Sequence, residues 1–276
     1  MSNAVYLPTC PIPPDNTKII ATFSDTPTDT YGFLLQDAKA KELIVALRGT
    51  SDIADAITDI NFPLVDYQSP GISGCDGCKV HSGFLKSWNA IAGPVVNAVK
   101  QSLQKDSSQK VTVTGHSLGG ALASMAAMTL TGSGVPHVQA ISYGQPRTGN
   151  QAYADYVDRL APTFIRVTHQ NDGIPQVPLV AMGYQHHSTE YWQENTPEST
   201  TRCEGQEPRD CINSSPPVGF NGFIITTAHV NYMGMSMGNW PGSAFVCGQP
   251  VNPLTLAKTL SDFFMFSHKR SVPFQA

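Results

Sequence analysis

The sequence predicts an α/β fold in which helices cover both faces of a mostly parallel central sheet. Short runs of branched and aromatic residues alternate along the chain with amphipathic or small-residue stretches of helical length. Such alternation is typical of parallel sheets, because each helix carries the chain back across the sheet to the next strand. The chain has 276 residues, of which 41% are hydrophobic and 14% charged, so it can bury a sizeable core.

Each predicted strand is a short apolar run bounded by turn residues. The predicted strands are 18–23, 31–35, 43–47, 111–114, 138–143 and 164–167. Apolar residues between Phe84 and Leu103 recur every three or four positions, which predicts a helix with a kink at Pro94. Further helices are predicted over 118–130 and 152–160. Residues 193–222 are polar and rich in Pro, Ser and Glu, so we interpret them as a long surface excursion.

The charge distribution argues against nucleic acid as the main partner. The formal net charge is −4 and the 17 basic residues are scattered, so no cluster offers a footprint for phosphates. No apolar run reaches the roughly 20 residues that span a bilayer, so we expect no transmembrane segment. The first residues lack the basic and apolar regions of a signal peptide.

The cysteines favour an oxidising compartment, and hence a secreted protein whose leader is not in this chain. There are six of them, an even number that suits disulfide bonds. Zinc is an alternative for Cys75 and Cys78, whose spacing is ligand-like, but a matching downstream pair is missing, so we expect no metal. The pair also does not lie between a strand and a helix, as thioredoxin-type chemistry requires. The one N-glycosylation sequon, at Asn213, is weak evidence by itself.

The strongest chemical feature is the motif Gly115-His116-Ser117-Leu118-Gly119. It follows the predicted strand 111–114 and opens the small-residue helix 118–130. A G-x-S-x-G motif in that context is typical of the nucleophile elbow of α/β hydrolases, which presents the serine hydroxyl at the carboxyl edge of the sheet. The alternative is an ordinary glycine-rich turn, which the flanking strand and helix disfavour.

A nucleophilic serine needs a base and an acid that orients the base, and in α/β hydrolases they follow in the order serine, acid, histidine. Asp172 is the candidate acid, because it lies just beyond strand 164–167 and so at the same sheet edge as Ser117. The sequence Asn-Asp-Gly around Asp172 also favours a turn, so the alternative is that Asp172 is only a turn residue. Asp155 and Asp158 satisfy the order too, but they fall on a polar helix and resemble solvated charges.

His229 is the candidate base. It follows the apolar run 223–225, which would place it on a well-held segment. The other histidines beyond Asp172 are His186 and His187, which we interpret as a surface pair in a polar loop, and His268 in the tail.

Taken together, these motifs resemble the fungal class 3 lipases, the family of Rhizomucor- and Thermomyces-like lipases and related feruloyl esterases. The resemblance covers about residues 5–247. It rests on Leu47-Arg48-Gly49-Thr50, Val80-His81-Ser82-Gly83-Phe84, residues 114–120, Tyr143-Gly144-Gln145-Pro146-Arg147 with Gly149-Asn150, residues 166–178, and Ala228-His229. The family's triad then falls on Ser117, Asp172 and His229, the same residues that the motif and the order of the residues indicate without the resemblance.

The resemblance also implies an oxyanion hole and a lid. The backbone N–H groups of Thr50 and Leu118 would hold the oxyanion, although Thr50 read alone is a turn residue after a strand. Residues 51–60 would be an amphipathic lid, with Ile53, Ala54 and Ile57 on its apolar face. Typical lipases of the family carry a tryptophan there and this segment has none, which weakens the case for strong interfacial activation. The alternative is a short helix packed permanently on the domain.

The disulfide pairs Cys10–Cys247, Cys75–Cys78 and Cys203–Cys211 are implied by the resemblance alone. The family usually has a helix ahead of the segment with Cys10, and here the chain begins almost at that segment. The apolar residues of the tail, between Leu254 and Phe266, are expected to cover the domain in place of that helix, and contact with lipid is the alternative. We therefore expect residues 1–276 to form a single α/β-hydrolase domain with a lid-like segment at 51–60 and a tail at 248–276.

The expected function is that of a secreted triacylglycerol lipase or broader carboxylic ester hydrolase. It would act through an acyl-enzyme on ester lipids, at a lipid–water interface, without a metal or cofactor. A feruloyl esterase acting on plant cell wall esters is the nearest alternative, which the paired cysteines favour. A catalytically inactive, lipid-binding protein of the same fold is an alternative of another class, which the complete candidate triad disfavours.

Overall fold

The structure is a computed structural model that describes residues 1–7, 10–49, 63–215, 226–238 and 247. Several predicted features lie outside the described residues. They are Thr50, the lid candidates Ile53, Ala54 and Ile57, His268, and the tail 248–276.

An eight-stranded sheet with the order β1-β2-β3-β6-β7-β8-β9-β10 forms the centre of the fold. Its strands are β1 (Lys18–Asp25), β2 (Thr30–Asp37), β3 (Glu42–Leu47), β6 (Lys110–His116), β7 (Val138–Tyr143), β8 (Ile165–His169), β9 (Thr189–Gln193) and β10 (Thr200–Cys203). Strands β3, β6, β7, β8 and β9 pair in parallel, whereas β1–β2, β2–β3 and β9–β10 are antiparallel. The prediction of an α/β fold with a mostly parallel sheet is confirmed.

Four short strands make two small antiparallel pairs outside this sheet. They are β4 (Leu64–Asp66) with β5 (Lys79–His81), and β11 (Asn231–Tyr232) with β12 (Met235–Ser236). Short 3-10 helices occupy Ala4–Tyr6, Pro14–Asn16, Thr26–Thr28, Ile174–Gln176, Val180–Met182 and Ile212–Ser214.

The α-helices of the described chain are α1 (Ser82–Lys105), α2 (Leu118–Gly132) and α3 (Gln151–Leu160), and α1 continues through Pro94. Side chains of all three pack in one hydrophobic cluster with inward residues of the sheet such as Val45 and Val113. The alternate residues of β3 point to the opposite face, because successive side chains of a strand face opposite ways. There the 3-10 helix Ala4–Tyr6 packs with Ile44 and Ala46.

Most residues of 193–215, the described part of the predicted surface excursion, are exposed or partly exposed, but the segment also contains a strand and a few buried residues that the sequence did not predict. Strand β9 ends within it, β10 pairs with β9, and Cys203, Cys211 and Ile212 are buried. Parts of the segment also bind carboxylates of the domain. For example, the Ile212 N–H donates to Glu190 Oε1 at 3.1 Å.

Three disulfide bonds join the cysteines, and they are the pairs that the family resemblance implies: Cys10–Cys247, Cys75–Cys78 and Cys203–Cys211. The first links residues 237 positions apart in sequence, with a Cα–Cα distance of 4.8 Å. It therefore fixes the segment near the amino terminus to a residue that follows His229.

Helix α1 begins at a histidine whose ring must be neutral. The Nδ1 atom of His81 accepts hydrogen bonds from the Gly83 and Phe84 N–H groups at 3.0 and 3.3 Å, and so caps the helix. Its ring stacks on that of Phe84 with the centroids 4.0 Å apart. Burial lowers the pKa of His81 to about 4.

We expect the free energy of unfolding to fall as the pH drops from about 6.5 toward 4. In this range His81 is protonated in the unfolded chain but stays neutral in the folded protein. His81→Asn keeps a capping oxygen but cannot titrate, so it should remove on the order of 1–2 kcal/mol of this loss. Urea unfolding at several pH values measures it, with the exposed His137→Asn as the matched control. Parallel profiles for wild type and His81→Asn would contradict the prediction.

Candidate active site

Ser117 lies in a sharp turn between the end of β6 and the start of α2. Its φ and ψ angles are 59° and −129°, a backbone conformation that residues other than glycine rarely adopt. The turn is held by a hydrogen bond of 2.9 Å from the Ser117 N–H to the Tyr143 carbonyl oxygen, at the carboxyl end of β7. This is the strand–turn–helix context of a nucleophile elbow.

The two glycines of the motif are required by close backbone contacts. A Cβ on Gly115 would lie 2.0 Å from the Gly119 carbonyl oxygen. A Cβ on Gly119 would lie 2.2 Å from the Leu47 carbonyl oxygen, at the end of β3. The start of α2 can therefore approach both strands only because these positions carry no side chain. As the first residue of α2, Leu118 has an N–H with no acceptor inside the helix.

The candidate acid and base form a buried pair. Asp172 follows β8, and its Oδ2 accepts a hydrogen bond from His229 Nδ1 at 2.8 Å, with both side chains fully buried. The second oxygen, Oδ1, accepts from the Ile174 N–H at 2.9 Å. Because Nδ1 donates to the carboxylate, the neutral imidazole has its lone pair on Nε2.

This lone pair is available. Within the described ranges, His229 Nε2 is buried and has no hydrogen-bond partner. A Cβ on Gly144 would lie 3.1 Å from His229 Cε1 and 3.0 Å from Asp172 Oδ2, so the acid–base pair packs directly on the turn that follows β7. Ser117 is hydrogen-bonded to Tyr143 of the same turn. The acid–base pair and the Ser117 elbow therefore both lie against the turn at the carboxyl end of β7.

The loop that carries His229 is held through its carbonyl oxygens. His169 Nδ1 lies 3.0 Å from the Ala228 carbonyl oxygen and His116 Nε2 lies 2.7 Å from that of His229, so each ring nitrogen donates. The Met237 N–H donates to the Val230 carbonyl oxygen at 2.8 Å. The base is thus fixed by its backbone as well as by Asp172.

Tyr232 is a site residue that the sequence did not reveal. Its hydroxyl donates a short hydrogen bond to Asp172 Oδ2, the oxygen that also accepts from His229. Burial, and then the Asp172 charge, raise the pKa of Tyr232 well above its usual value, so the hydroxyl remains a donor. Only its position three residues after His229 could have suggested this role.

Tyr232→Phe should lower kcat for ester hydrolysis by about 3- to 30-fold, because Asp172 loses one charge-assisted hydrogen bond but keeps those from His229 and Ile174. Steady-state kinetics on a soluble ester measure the change, which should leave KM within about two-fold. Tyr143→Phe is the control, since Tyr143 packs against Tyr232 and shows no hydrogen bond from its hydroxyl to the described residues. Equal activity of both variants would argue against a role for the Tyr232 hydroxyl.

The rival acids and bases lie elsewhere. Asp155 is exposed, and Asp158 accepts from the Ser188 N–H at 2.5 Å. The interpretation of His186 and His187 as a surface pair was wrong, because both are fully buried. Their ring nitrogens bind the Pro175 carbonyl oxygen in one case, and Gln145 and Ser188 in the other, and burial lowers both pKa values well below the usual range.

A buried ion pair supports the loop between Cys203 and Cys211. The Arg147 guanidinium makes a two-pronged contact with Glu207, at 2.7 and 2.8 Å. It also donates to the Gln176 and Pro178 carbonyl oxygens, at 2.5 and 3.1 Å. The side chain of Asn213, the sequon residue, lies in the same network and donates to Glu207 at 3.0 Å. The motif Tyr143–Arg147 thus anchors the loops around Asp172.

The described residues contain no group of three or more His, Cys, Asp or Glu side chains arranged to hold a metal ion. Among the helices that the structure describes, none is both long and apolar enough to cross a membrane.

Comparison with known proteins places the chain among lipases. The model of the family described as lipase (class 3) matches residues 44–182. The secreted mono- and diacylglycerol lipase A of Penicillium cyclopium is 37% identical over 171 residues, which are 62% of this chain and 54% of that protein. The chain therefore spans about half the length of the curated relatives it matches first.

Solved structures agree with this. The crystal structure of the lipase from Rhizopus microsporus var. chinensis has a TM-score of 0.74 and 36% identity, covering 84% of this chain and 76% of that one. A triacylglycerol lipase whose catalytic centre is described as a serine protease triad has a TM-score of 0.76 and 31% identity, covering 89% of this chain and 92% of that one.

Proposed function

Because the chain belongs to the class 3 lipase family, we propose that it is a secreted carboxylic ester hydrolase, a triacylglycerol lipase that uses Ser117, His229 and Asp172 as a catalytic triad. One observation carries this proposal. The buried Asp172–His229 pair, with its lone pair on Nε2, packs on the same turn that binds the Ser117 elbow. The disulfide bonds and the secreted relatives support an extracellular location.

In the first half of the reaction, Ser117 Oγ attacks the ester carbonyl carbon while His229 Nε2 takes the hydroxyl proton. The Asp172 carboxylate stabilises the imidazolium that forms. The carbonyl oxygen becomes an oxyanion, and the Leu118 N–H and the Thr50 N–H stabilise it. His229 then protonates the leaving alcohol, which departs and leaves the acyl group on Ser117.

In the second half, water enters and His229 removes one of its protons as the oxygen attacks the acyl-enzyme. The same two N–H groups stabilise the second oxyanion. When this intermediate collapses, the carboxylic acid leaves and the proton returns from His229 to Ser117. The reaction needs no cofactor.

An apolar rim favours lipid esters as substrates. In the loop that follows Asp172, Leu179, Val180 and Met182 are 48%, 50% and 43% exposed. Side chains of this kind are usually buried, so their grouping on one loop at the carboxyl edge of the sheet suits contact with acyl chains or a lipid surface. The proposed lid at 51–60, with Ile53, Ala54 and Ile57, would supply a further apolar face.

Partial glycerides are a second candidate substrate class, because the Penicillium cyclopium relative acts on mono- and diacylglycerol by its name. The test is fatty-acid release from emulsions of long-chain triacylglycerol, diacylglycerol and monoacylglycerol, and cleavage of methyl ferulate, with Ser117→Ala as the control. Release from triacylglycerol that vanishes in the variant is the expected result.

The other outcomes each select an alternative. Release from the partial glycerides alone would make the protein a mono- and diacylglycerol lipase. Cleavage of methyl ferulate without any release from glycerides would make it a feruloyl esterase. Binding of fatty acids without turnover of any ester would make it an inactive lipid-binding member of the family.

A further inference from the structure

His116, which directly precedes the proposed nucleophile, is fully buried and is not part of the acid–base pair. Its ring lies beside that of His229, with the centroids 4.5 Å apart. Its Nε2 lies 2.7 Å from the His229 carbonyl oxygen, and because a carbonyl oxygen only accepts, Nε2 carries the proton. The lone pair of His116 is therefore on Nδ1.

The partner of this lone pair comes from the start of the chain. Tyr6 is buried, and its hydroxyl oxygen lies 2.8 Å from His116 Nδ1, so the hydroxyl donates. Burial raises the pKa of Tyr6 and keeps the hydroxyl protonated. The Tyr6 hydroxyl thus donates to His116.

The Tyr6 hydroxyl also lies next to Gly49, which connects it to the proposed oxyanion hole. A Cβ on Gly49 would lie 2.1 Å from the Tyr6 hydroxyl oxygen and 3.2 Å from Ser117 Cβ. In the sequence Gly49 directly precedes Thr50, the proposed oxyanion donor. The Tyr6 hydroxyl therefore contacts the residue before the proposed oxyanion donor. Through the His116 ring it is also linked to the backbone of the proposed base, His229.

We propose that Tyr6 and His116 form a positioning pair that fixes the Gly49 turn and the backbone of His229 relative to Ser117. The inference rests on the proposed function of the triad. Neither residue touches the reacting atoms, so both act through the groups that they hold. The chain runs from the Gly49 backbone to the Tyr6 hydroxyl that packs against it, from Tyr6 O–H to His116 Nδ1, and from His116 Nε2–H to the His229 carbonyl oxygen.

The segment that carries Tyr6 is itself held in place. The Ser2 hydroxyl bonds the Thr114 hydroxyl at 2.6 Å, on the strand that leads to the elbow. Val5 is fully buried, and Cys10 is joined to Cys247. These contacts on both sides of Tyr6 fix its hydroxyl next to Gly49 and His116. Residues 2–6 are therefore a functional part of the proposed site.

Tyr6→Phe removes the hydroxyl and keeps the ring. Because the hydrogen bond to His116 Nδ1 and the polar contact with Gly49 are both lost, kcat on a soluble p-nitrophenyl ester should fall about 3- to 10-fold with KM unchanged. The matched control is Tyr153→Phe, since Tyr153 is also buried and, among the residues that the structure describes, its hydroxyl bonds Ser124 alone, at 2.7 Å. If both variants keep equal kcat values, the proposal is wrong.

His116→Gln tests whether the two residues act as one unit. The glutamine amide can still donate to the His229 carbonyl oxygen but offers Tyr6 no ring nitrogen. We expect adding Tyr6→Phe to His116→Gln to lower kcat no further, because the link is already broken. Additive losses would overturn the paired action.

A measurement on the wild-type protein needs neither a variant nor turnover. Nitrogen-15 NMR of the histidine rings should show His116 neutral, with the proton on Nε2, from about pH 5 to 8. A proton on Nδ1, or titration in this range, would overturn the proposal even in an active enzyme. Failure of the proposed function would show differently, as a wild-type protein with this tautomer that cleaves no ester.

Discussion

Ser117→Ala is expected to lower kcat for ester hydrolysis by about 10⁵- to 10⁶-fold, the largest effect of any single change in the chain. Without the hydroxyl no acyl-enzyme can form, and His229 has no proton to accept. Steady-state hydrolysis of a soluble ester measures the loss. Mass spectrometry after treatment with an organophosphonate should find one label per wild-type molecule, on Ser117, and none on the variant.

Ser124→Ala is the matched control, because Ser124 is a fully buried serine of α2 that bonds the Ala121 carbonyl oxygen and Tyr153. It should remain active and be labelled. Residual activity of Ser117→Ala above about one part in a thousand would mean that another group attacks the ester.

The same position stores backbone strain. Ser117 has a φ of 59°, which glycine adopts without penalty. Ser117→Gly should therefore be inactive and more stable than Ser117→Ala by about 1 kcal/mol, measured by thermal unfolding. Equal melting temperatures for the two variants would show that the turn is unstrained.

Asp172→Asn should lower kcat by about 10⁴-fold and change KM little. The side chain is fully buried and its Oδ2 accepts from both His229 and Tyr232. An amide cannot stabilise the imidazolium, and its NH₂ group facing the ring favours the tautomer with the proton on Nε2. Such a ring cannot accept the Ser117 proton, so the nucleophile stays inactive.

The control for this substitution is Asp158→Asn. Asp158 is a partly buried carboxylate on α3 that accepts from Ser188 and Gln206, outside the triad. It should keep near wild-type kinetics. A loss of activity in Asp158→Asn equal to that in Asp172→Asn would contradict the assignment of Asp172 as the acid.

The parts of the fold that sequence could predict are those with a local cause. The branched runs at 43–47 and 111–114 became β3 and β6, because such residues suit buried parallel strands. Ser117, Asp172 and His229 could be chosen because the elbow has a tight glycine pattern, the acid follows a strand, and the base comes after the acid in a fixed order.

Other parts depend on contacts between distant segments. His186 and His187 resemble a polar surface loop, since nothing local shows that Gln145 and the Pro175 carbonyl oxygen will meet them inside the protein. Strand β10 was missed for the same reason. Tyr6 lies 110 positions from His116, so their hydrogen bond exists only once the sheet has formed.

The bond between Cys10 and Cys247 closes most of the polypeptide into a covalent ring. A protease that cuts one exposed turn of this ring, such as the turn with Lys39 between β2 and β3, opens the ring but releases no fragment. The nicked molecule keeps Tyr6, Ser117 and His229 in one covalent unit as long as the disulfide is oxidised. We therefore expect tolerance of limited proteolysis that is lost on addition of a reductant, a property that would suit the proposed extracellular location.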